Sequence, residues 1–188
     1  VKQVYKEIRL PKIKLKKTQK VLCAKFRKGH FEGVLDVLNR FTKLIAPKMI
    51  FMGEKDFQQY FLVKKFITKR YKTKVYLCKT IRNSTGMALS SRNTLLKIND
   101  IKNSELITKK LMRLKIKLNK VNRLNNYNLK KNTVLIQKFK RKLINKFNIK
   151  IEYLECRNLI NLGTNLKKKS FKLFISYYIN KVRLIDNF

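Results

Sequence analysis

The sequence predicts an α/β chain: a parallel sheet with crossover helices early on, then a small helix-plus-antiparallel-sheet region. Three observations carry this prediction. From Phe31 to Leu77, segments of helical and strand character follow one another as helix, strand, helix, strand, the order of βαβ units. After about Thr80 the character changes to a polar loop, Ile81 to Asn93, followed by two lysine-rich amphipathic segments. Three runs rich in β-formers then close the chain. A length of 188 residues accommodates one ordinary domain or two small ones, and the composition shift divides them as 1–80 and 81–188.

Taken in order, residues 1–26 hold short runs, Ile8–Leu10 and Ile13–Leu15, broken by Pro11, which read as extended connections or an edge strand. Phe31, Val34, Leu35, Leu38, Phe41 and Ile45 recur at three- and four-residue steps, the period of an amphipathic helix that Pro47 ends. Met49–Met52 reads as a buried strand. A second helix starts near Lys55 with Phe57, Tyr60, Phe61, Ile67 and Tyr71 on or near one face, and Lys74–Leu77 is the next strand. Ile101–Lys120 and Asn132–Phe147 read as helices, and the Asn-rich stretch Asn119–Asn132 as a surface loop. Ile149–Glu155, Phe171–Tyr178 and Val182–Ile185 form the antiparallel sheet. There are no repeats and no Pro- or Gly-rich linker.

The composition, 44% hydrophobic and 11% aromatic, is enough to bury a core and excludes a disordered chain. Its outlier is a formal charge of +38, from 48 Lys+Arg against 10 Asp+Glu. Such an excess ordinarily points to nucleic acid or an anionic membrane. Here it is spread over the whole chain, mostly as Lys beside many Asn and Ile, the pattern that drift in an AT-rich genome produces. The bulk of the charge is read as drift, and no specific nucleic acid is expected as partner. No apolar run approaches the ~20 residues of a membrane span, and the N-terminus lacks the order of a signal peptide, so no membrane is expected either. Cys23, Cys78 and Cys156 are odd in number, far apart and in no metal-ligand spacing, and a single histidine leaves no zinc site. Free thiols in a reducing, cytoplasmic setting fit best.

Three clusters carry candidate chemistry. In Phe51–Gln59 a strand leads through Gly53 into a helix with Lys55 in its first turn. Unpaired N–H groups at a helix start suit a phosphate, the glycine allows close approach, and the lysine adds a charge. Many α/β domains place Gly and Lys there without binding anything. Asp56 suits a magnesium ion on a bound phosphate, or serves as a carboxylate favoured by the helix dipole. Gln58 and Gln59 point to different sides, so at most one faces a given pocket. In Ser90-Ser91-Arg92-Asn93, two hydroxyls and a guanidinium suit triphosphate oxygens, and equally a helix-capping serine pair. Arg27 and His30 form the third cluster, with His30 at a helix start also readable as a cap.

Their order and spacing carry more than any one of them. Arg27–Val34 (Arg-x-Gly-His-Phe-x-Gly-Val), Phe51–Gln59 (Phe-x-Gly-Glu-Lys-Asp-x-Gln-Gln) and Thr80–Asn93 (Thr-x-Arg-x-x-x-Gly-x-Ala-x-Ser-Ser-Arg-Asn) together closely resemble the pantothenate synthetase family. Ile151–Arg157 resembles that family's Tyr-Leu-Glu-x-Arg strand, and Arg183–Asn187 its ending. The resemblance implies a Rossmann-like half-sheet of the nucleotidyl-transferase type shared with class I tRNA synthetases, followed by the small C-terminal domain. It also implies a cytoplasmic, homodimeric enzyme that joins pantoate to β-alanine with ATP and magnesium through a pantoyl-adenylate, in coenzyme A biosynthesis. Activating a carboxylate as a mixed anhydride makes it an acyl donor, and cations stabilise the charge that builds on the phosphates. By the same resemblance Gly53, Glu54, Lys55 and Asp56 belong to the ATP site, with Asp56 as a possible magnesium ligand, and Gln59 holds pantoate. Ile81 meets the adenine through its backbone. Leu89, Ser90, Ser91 and Arg92 form a loop similar to the lysine-serine loop of the synthetases. Arg27 and His30 lie near the active site without an assigned role.

The departures are specific. Lys28 and Lys79 stand where the family has Pro, and Asn83 and Thr85 stand where it has acidic residues. The family's His-x-Gly-His turn on the phosphates is not present, since the chain has one histidine, His30, in a different motif. Val1–Tyr5 resembles a family segment well inside the first domain. The expectation is therefore a fragment, the C-terminal two-thirds, unable alone to form the adenylate and poorly soluble. A basic nucleic-acid-binding module and a degenerate remnant are the competing readings.

Overall fold

A computed structural model describes residues 11–124, 129–166 and 170–188. The chain divides between Lys79 and Thr80 into two compact units.

In the first unit a short α1 (Cys23–Phe26) leads to α2 (His30–Ile45), β1 (Met49–Gly53), a 3-10 turn (Glu54–Asp56), α3 (Phe57–Ile67) and β2 (Lys74–Cys78). β1 and β2 pair in parallel from Met49 opposite Lys74 to Gly53 opposite Cys78, with α3 as the crossover between them. α2 turns Phe31, Leu35, Asn39 and Thr42 inward, one residue per turn, and packs against α3. Phe41 and Ile45, expected on that stripe, are exposed. The polar Asn39 replaces them inside because the hydroxyl of Tyr71 donates to its Oδ1 at 2.7 Å. That same Tyr71 lies beyond the end of α3, whose buried face is Phe57, Gln58, Leu62, Val63 and Ile67. The helix α2 ends one residue before Pro47, at Ala46, in a left-handed conformation (φ 47°).

Of the two readings of residues 11–26, the connection holds at 11–16, which has no helix or strand, and the edge strand does not form; a 3-10 turn (Lys17–Gln19) and α1 follow, and Ile8–Leu10 lies outside the described residues. One expectation needs correction. β1 is a strand but not a buried one: Met49 and Phe51 are exposed, as is Tyr76 stacked beside Phe51 on β2, so among the described residues this face of the sheet is uncovered.

The second unit begins with the loop 80–90 and a 3-10 turn (Ser91–Leu95), followed by α4 (Ile98–Leu124), α5 (Leu129–Phe147) and β3 (Lys150–Asn158), β4 (Phe171–Ile179) and β5 (Val182–Asn187). The strands form an antiparallel sheet in the order β3-β4-β5. Asn180 (φ 51°) supplies the tight turn between β4 and β5. Ile107, Leu111, Leu114 and Leu118 of α4 and Ile136 and Leu143 of α5 bury against Leu173, Ile175 and Tyr177 of the sheet. Apart from Lys115, which reaches the Phe171 carbonyl, the lysines of both helices stand away from the apolar stripe, so the helical period, not the charge, decides the structure. The Asn-rich stretch is mostly helix where described: Asn119–Leu124 continues α4, and Leu129–Asn132 opens α5. Among the described residues no helix is long and apolar enough to cross a membrane.

Candidate functional site

In the first unit the candidate residues sit where β1 gives way to α3. Gly53 has ordinary extended backbone (φ −70°, ψ 136°), and a Cβ added to it would meet nothing within 4 Å. Neither dihedral strain nor packing demands glycine there; the open space beside the backbone is what a Cβ would fill. Glu54, Lys55 and Asp56 form the 3-10 turn that feeds α3. The Lys55 side chain is 18% exposed, with Nζ 3.4 Å from Oδ2 of Asp56, which is 48% exposed. A cation held at the opening of a helix, beside a carboxylate that reaches solvent, is an arrangement for meeting phosphate and its counter-ion.

Gln58 and Gln59 separate as the helical period requires. Gln58 is buried and ties the chain before α1 to α3: Nε2 donates to the carbonyls of Val21 (2.7 Å) and Gln19 (3.3 Å), and Oε1 accepts from the Ala24 amide (3.4 Å). Gln59 lies on the other side and lines an open pocket of about 570 Å³ with Gly29, His30, Gly33, Val34, Val37 and Leu38. Two motifs that are separate in the sequence therefore meet in one cavity. His30 is the first residue of α2 and its ring packs against Phe31 (5.0 Å between centroids); the cap position belongs to Gly29, whose left-handed φ of 77° suits glycine. Arg27 lies at the end of α1, outside that pocket's lining.

In the second unit Ile81 and Leu89 are exposed and joined, the Leu89 amide donating to the Ile81 carbonyl at 3.0 Å. Ser90 is the cap of the following 3-10 turn, its Oγ accepting from the Arg92 amide at 3.3 Å, so one of the two serines does have the capping role. Ser91 is exposed, and the Arg92 guanidinium has no partner among the described residues. Asn83 takes three donors on its Oδ1, from Thr85 N, Thr85 Oγ1 and Met87 N, at 2.8 to 3.2 Å. The residues that replace acidic ones in the motif thus build the turn themselves.

Sequence reasoning missed the partner of Arg82. Its guanidinium forms a two-pronged ion pair with Asp186 of β5, at 2.8 and 2.9 Å. Both motifs were visible, but only tertiary folding brings residues so far apart together. Arg183, in the same terminal motif, donates to Glu152 on β3 at 2.6 and 3.0 Å. Burial works to raise the Glu152 carboxyl, but hydrogen bonds from Arg183, Ser176 and Tyr178 outweigh it and hold the group below the usual range.

Comparison with known proteins identifies the family. A family model described as pantoate-beta-alanine ligase matches residues 1–188. A pantothenate synthetase of Leptospira interrogans is 35% identical over 178 residues, covering 93% of this chain and 60% of that protein. One from Azobacteroides pseudotrichonymphae is 32% identical, covering 100% and 65%. The fold matches a pantothenate synthetase from Thermus thermophilus with a TM-score of 0.82 at 22% identity, covering 100% of this chain and 66% of that one. It also matches the pantoate-beta-alanine ligase from Francisella tularensis, solved in complex with beta-gamma ATP and beta-alanine, with a TM-score of 0.66 at 30% identity and coverage of 100% and 61%. The chain spans about 60 to 65% of the length of these curated relatives. Over that span, from its first residue to its last, it belongs to the pantoate-beta-alanine ligase family.

Proposed function

We propose that the chain carries ATP- and pantoate-handling residues of a pantoate–β-alanine ligase, in which the pantoate carboxylate attacks the α-phosphorus of ATP, expelling pyrophosphate to give pantoyl-adenylate, and the amine of β-alanine then takes the acyl group, expelling AMP. The observation that carries this reading is the shared pocket of Gln59 and His30. Its walls are Val34, Val37 and Leu38, and its polar groups are one amide and one imidazole. That combination suits a small branched hydroxy acid, with apolar methyls against the valines and a hydroxyl or carboxylate at the amide. Pantoate is such an acid.

For ATP, Gly53 leaves room beside the backbone, and Lys55 opposes phosphate charge. Glu54 belongs to the same turn. Ile81 offers a backbone edge to adenine, and Leu89, Ser90, Ser91 and Arg92 form the loop that meets phosphates, with the unpartnered Arg92 guanidinium as its charged donor. The donor set fits magnesium only in part. Among the described residues no three His, Cys, Asp or Glu side chains gather to hold a metal, so Asp56 would share the ion with phosphate oxygens, the usual magnesium arrangement. When bound, the ion supplies charge neutralisation at those oxygens. The homodimer and the cytoplasmic setting come with the same reading, the latter supported by three free cysteines.

The test is pantoate binding, followed by ligand-detected NMR. Pantoate should bind the chain, and Gln59→Ala should weaken it by about tenfold or more, whereas equal binding to Gln59→Ala would remove the pocket from the account. With only one histidine among its 188 residues, the chain alone is expected to show no pantoate-dependent pyrophosphate release.

A further inference from the structure

The segment that bears Ile81 and Leu89 is closed on itself and fastened to the last strand by one side chain. Arg82 and Ala88 form an antiparallel bridge, Asn83 N donates to Met87 O at 2.9 Å, and Leu89 N donates to Ile81 O at 3.0 Å. Residues 81–89 are thus a narrow hairpin, turned at Gly86. The φ of Gly86 is +90°, and a Cβ there would lie 2.8 Å from Cε of Met112. From the base of this hairpin the Arg82 guanidinium reaches both ways. Nη1 donates to Gly86 O (2.9 Å) and Asp186 Oδ2 (2.8 Å), and Nη2 donates to Asp186 Oδ1 (2.9 Å) and Asn187 O (3.0 Å). The Phe188 ring lies 5.0 Å away on its face. Asp186 is 9% exposed.

We propose that Arg82 is a positioning residue for the nucleotide: its pair with Asp186 locks the 81–89 hairpin to β5 and so sets the Ile81 backbone and the Leu89–Arg92 segment where ATP meets them. This rests on the ATP reading given above. The competing role for an arginine in such a loop is direct phosphate binding, and the geometry speaks against it. Both terminal nitrogens are already committed to one carboxylate and two backbone carbonyls. Pulling the guanidinium away would strand the Asp186 charge in a buried place, which is strongly unfavourable. Arg92 has no such partner and is the loop's available donor. The proposal also gives the terminal Asp186-Asn187 a purpose, since both contribute acceptors to the lock. Lysine cannot reproduce it, because only the planar fork spans two carboxylate oxygens and two carbonyls at once.

The two roles separate on removal of the partner rather than of the arginine. Isothermal titration of ATP, with hydrogen exchange of the 81–89 amides, should be run on the 188-residue chain, Arg82→Lys and Asp186→Asn. A positioning role predicts that both variants lose affinity about equally, by about tenfold or more, with faster exchange at Asn83 and Leu89 while the β4 amides stay protected. ATP binding to Asp186→Asn as tight as to wild type, with loss only in Arg82→Lys, would instead make Arg82 a phosphate ligand and overturn the proposal. Unchanged exchange in both variants would overturn it as well. Should Asp186→Asn lose β4 protection, Asp186→Glu keeps the charge but misplaces the fork, and the same two outcomes decide. A wild-type chain without saturable ATP binding overturns the nucleotide reading itself, a result distinct from any change in the variants.

Discussion

At the residue scale, adjacency in sequence says little about shared work. Gln58 spends its amide on the carbonyls and amide of residues 19–24, while its neighbour Gln59 opens into the pocket with His30. The sequence shows that the two must diverge, because they are about 100° apart on a helix, but not which one turns inward. Lys115 is a second residue whose surroundings the sequence hides. It reads as one of many surface lysines, yet its Nζ donates to the Phe171 carbonyl at 2.6 Å and sits over that residue's ring. Burial pushes its pKa down from 10.5 to about 8, with Lys172 adding to the push and Cys156 opposing it. Between those values the unfolded chain binds more protons than the folded one, so stability rises with pH. Burial also pushes the Cys156 thiol up from 9.0 to about 12, and over that range folding keeps a proton that unfolding releases, so stability falls. The two effects leave a clean window between pH 8 and 9. The urea midpoint should increase across it, and Lys115→Met should abolish the increase. The same slope in the variant would assign the effect elsewhere.

At the element scale, helices and strands were legible wherever one period held without competition. α2, α4 and α5 follow from their apolar spacing, and the closing strands from their β-formers. The failures have physical causes. Asn119–Leu124 reads as a loop because asparagine is a weak helix former, yet the packing of Leu111, Leu114 and Leu118 carries α4 through it. Burial of β1 was misjudged because apolar content does not reveal whether a layer covers both faces of a sheet. Pro47 correctly marks the end of α2, but the terminating conformation falls on Ala46, left-handed at φ 47° and ψ 50°. A residue with a Cβ is strained there and glycine is not. Ala46→Gly should therefore stabilise the first unit by about 1 kcal/mol, after part of the gain is returned as unfolded-state entropy. An unfolding curve that moves the other way would show that α2 does not need this cap.

At the scale of the whole molecule, the charge of +38 and the ordered motifs invite opposite readings. The structure gives a reason to weigh the motifs more. Apart from Lys115, the lysines of α4 and α5 are what remains outside once an apolar stripe is buried, whereas Lys55, in the turn after β1, is mostly covered and reaches Asp56. The residues of the candidate site are legible as motifs, and their supports are not. Gly53–Asp56, Gln59 and Ser90–Arg92 stand out in the sequence through the order and spacing they share with the family's motifs. The supports, Gln58 under α3 and Asp186 under Arg82, are ordinary residues made specific only by tertiary placement.

A nucleotide site at the β1–α3 turn is tested by titrating ATP into the wild-type chain and Lys55→Ala. The salt should be high enough to screen the exposed lysines, so that diffuse attraction does not pass for a site. Binding to wild type should be saturable and should weaken by about tenfold or more in Lys55→Ala, the loss of one charge-assisted contact to phosphate. Equal affinity in the two proteins, or no saturable binding to wild type, would contradict it.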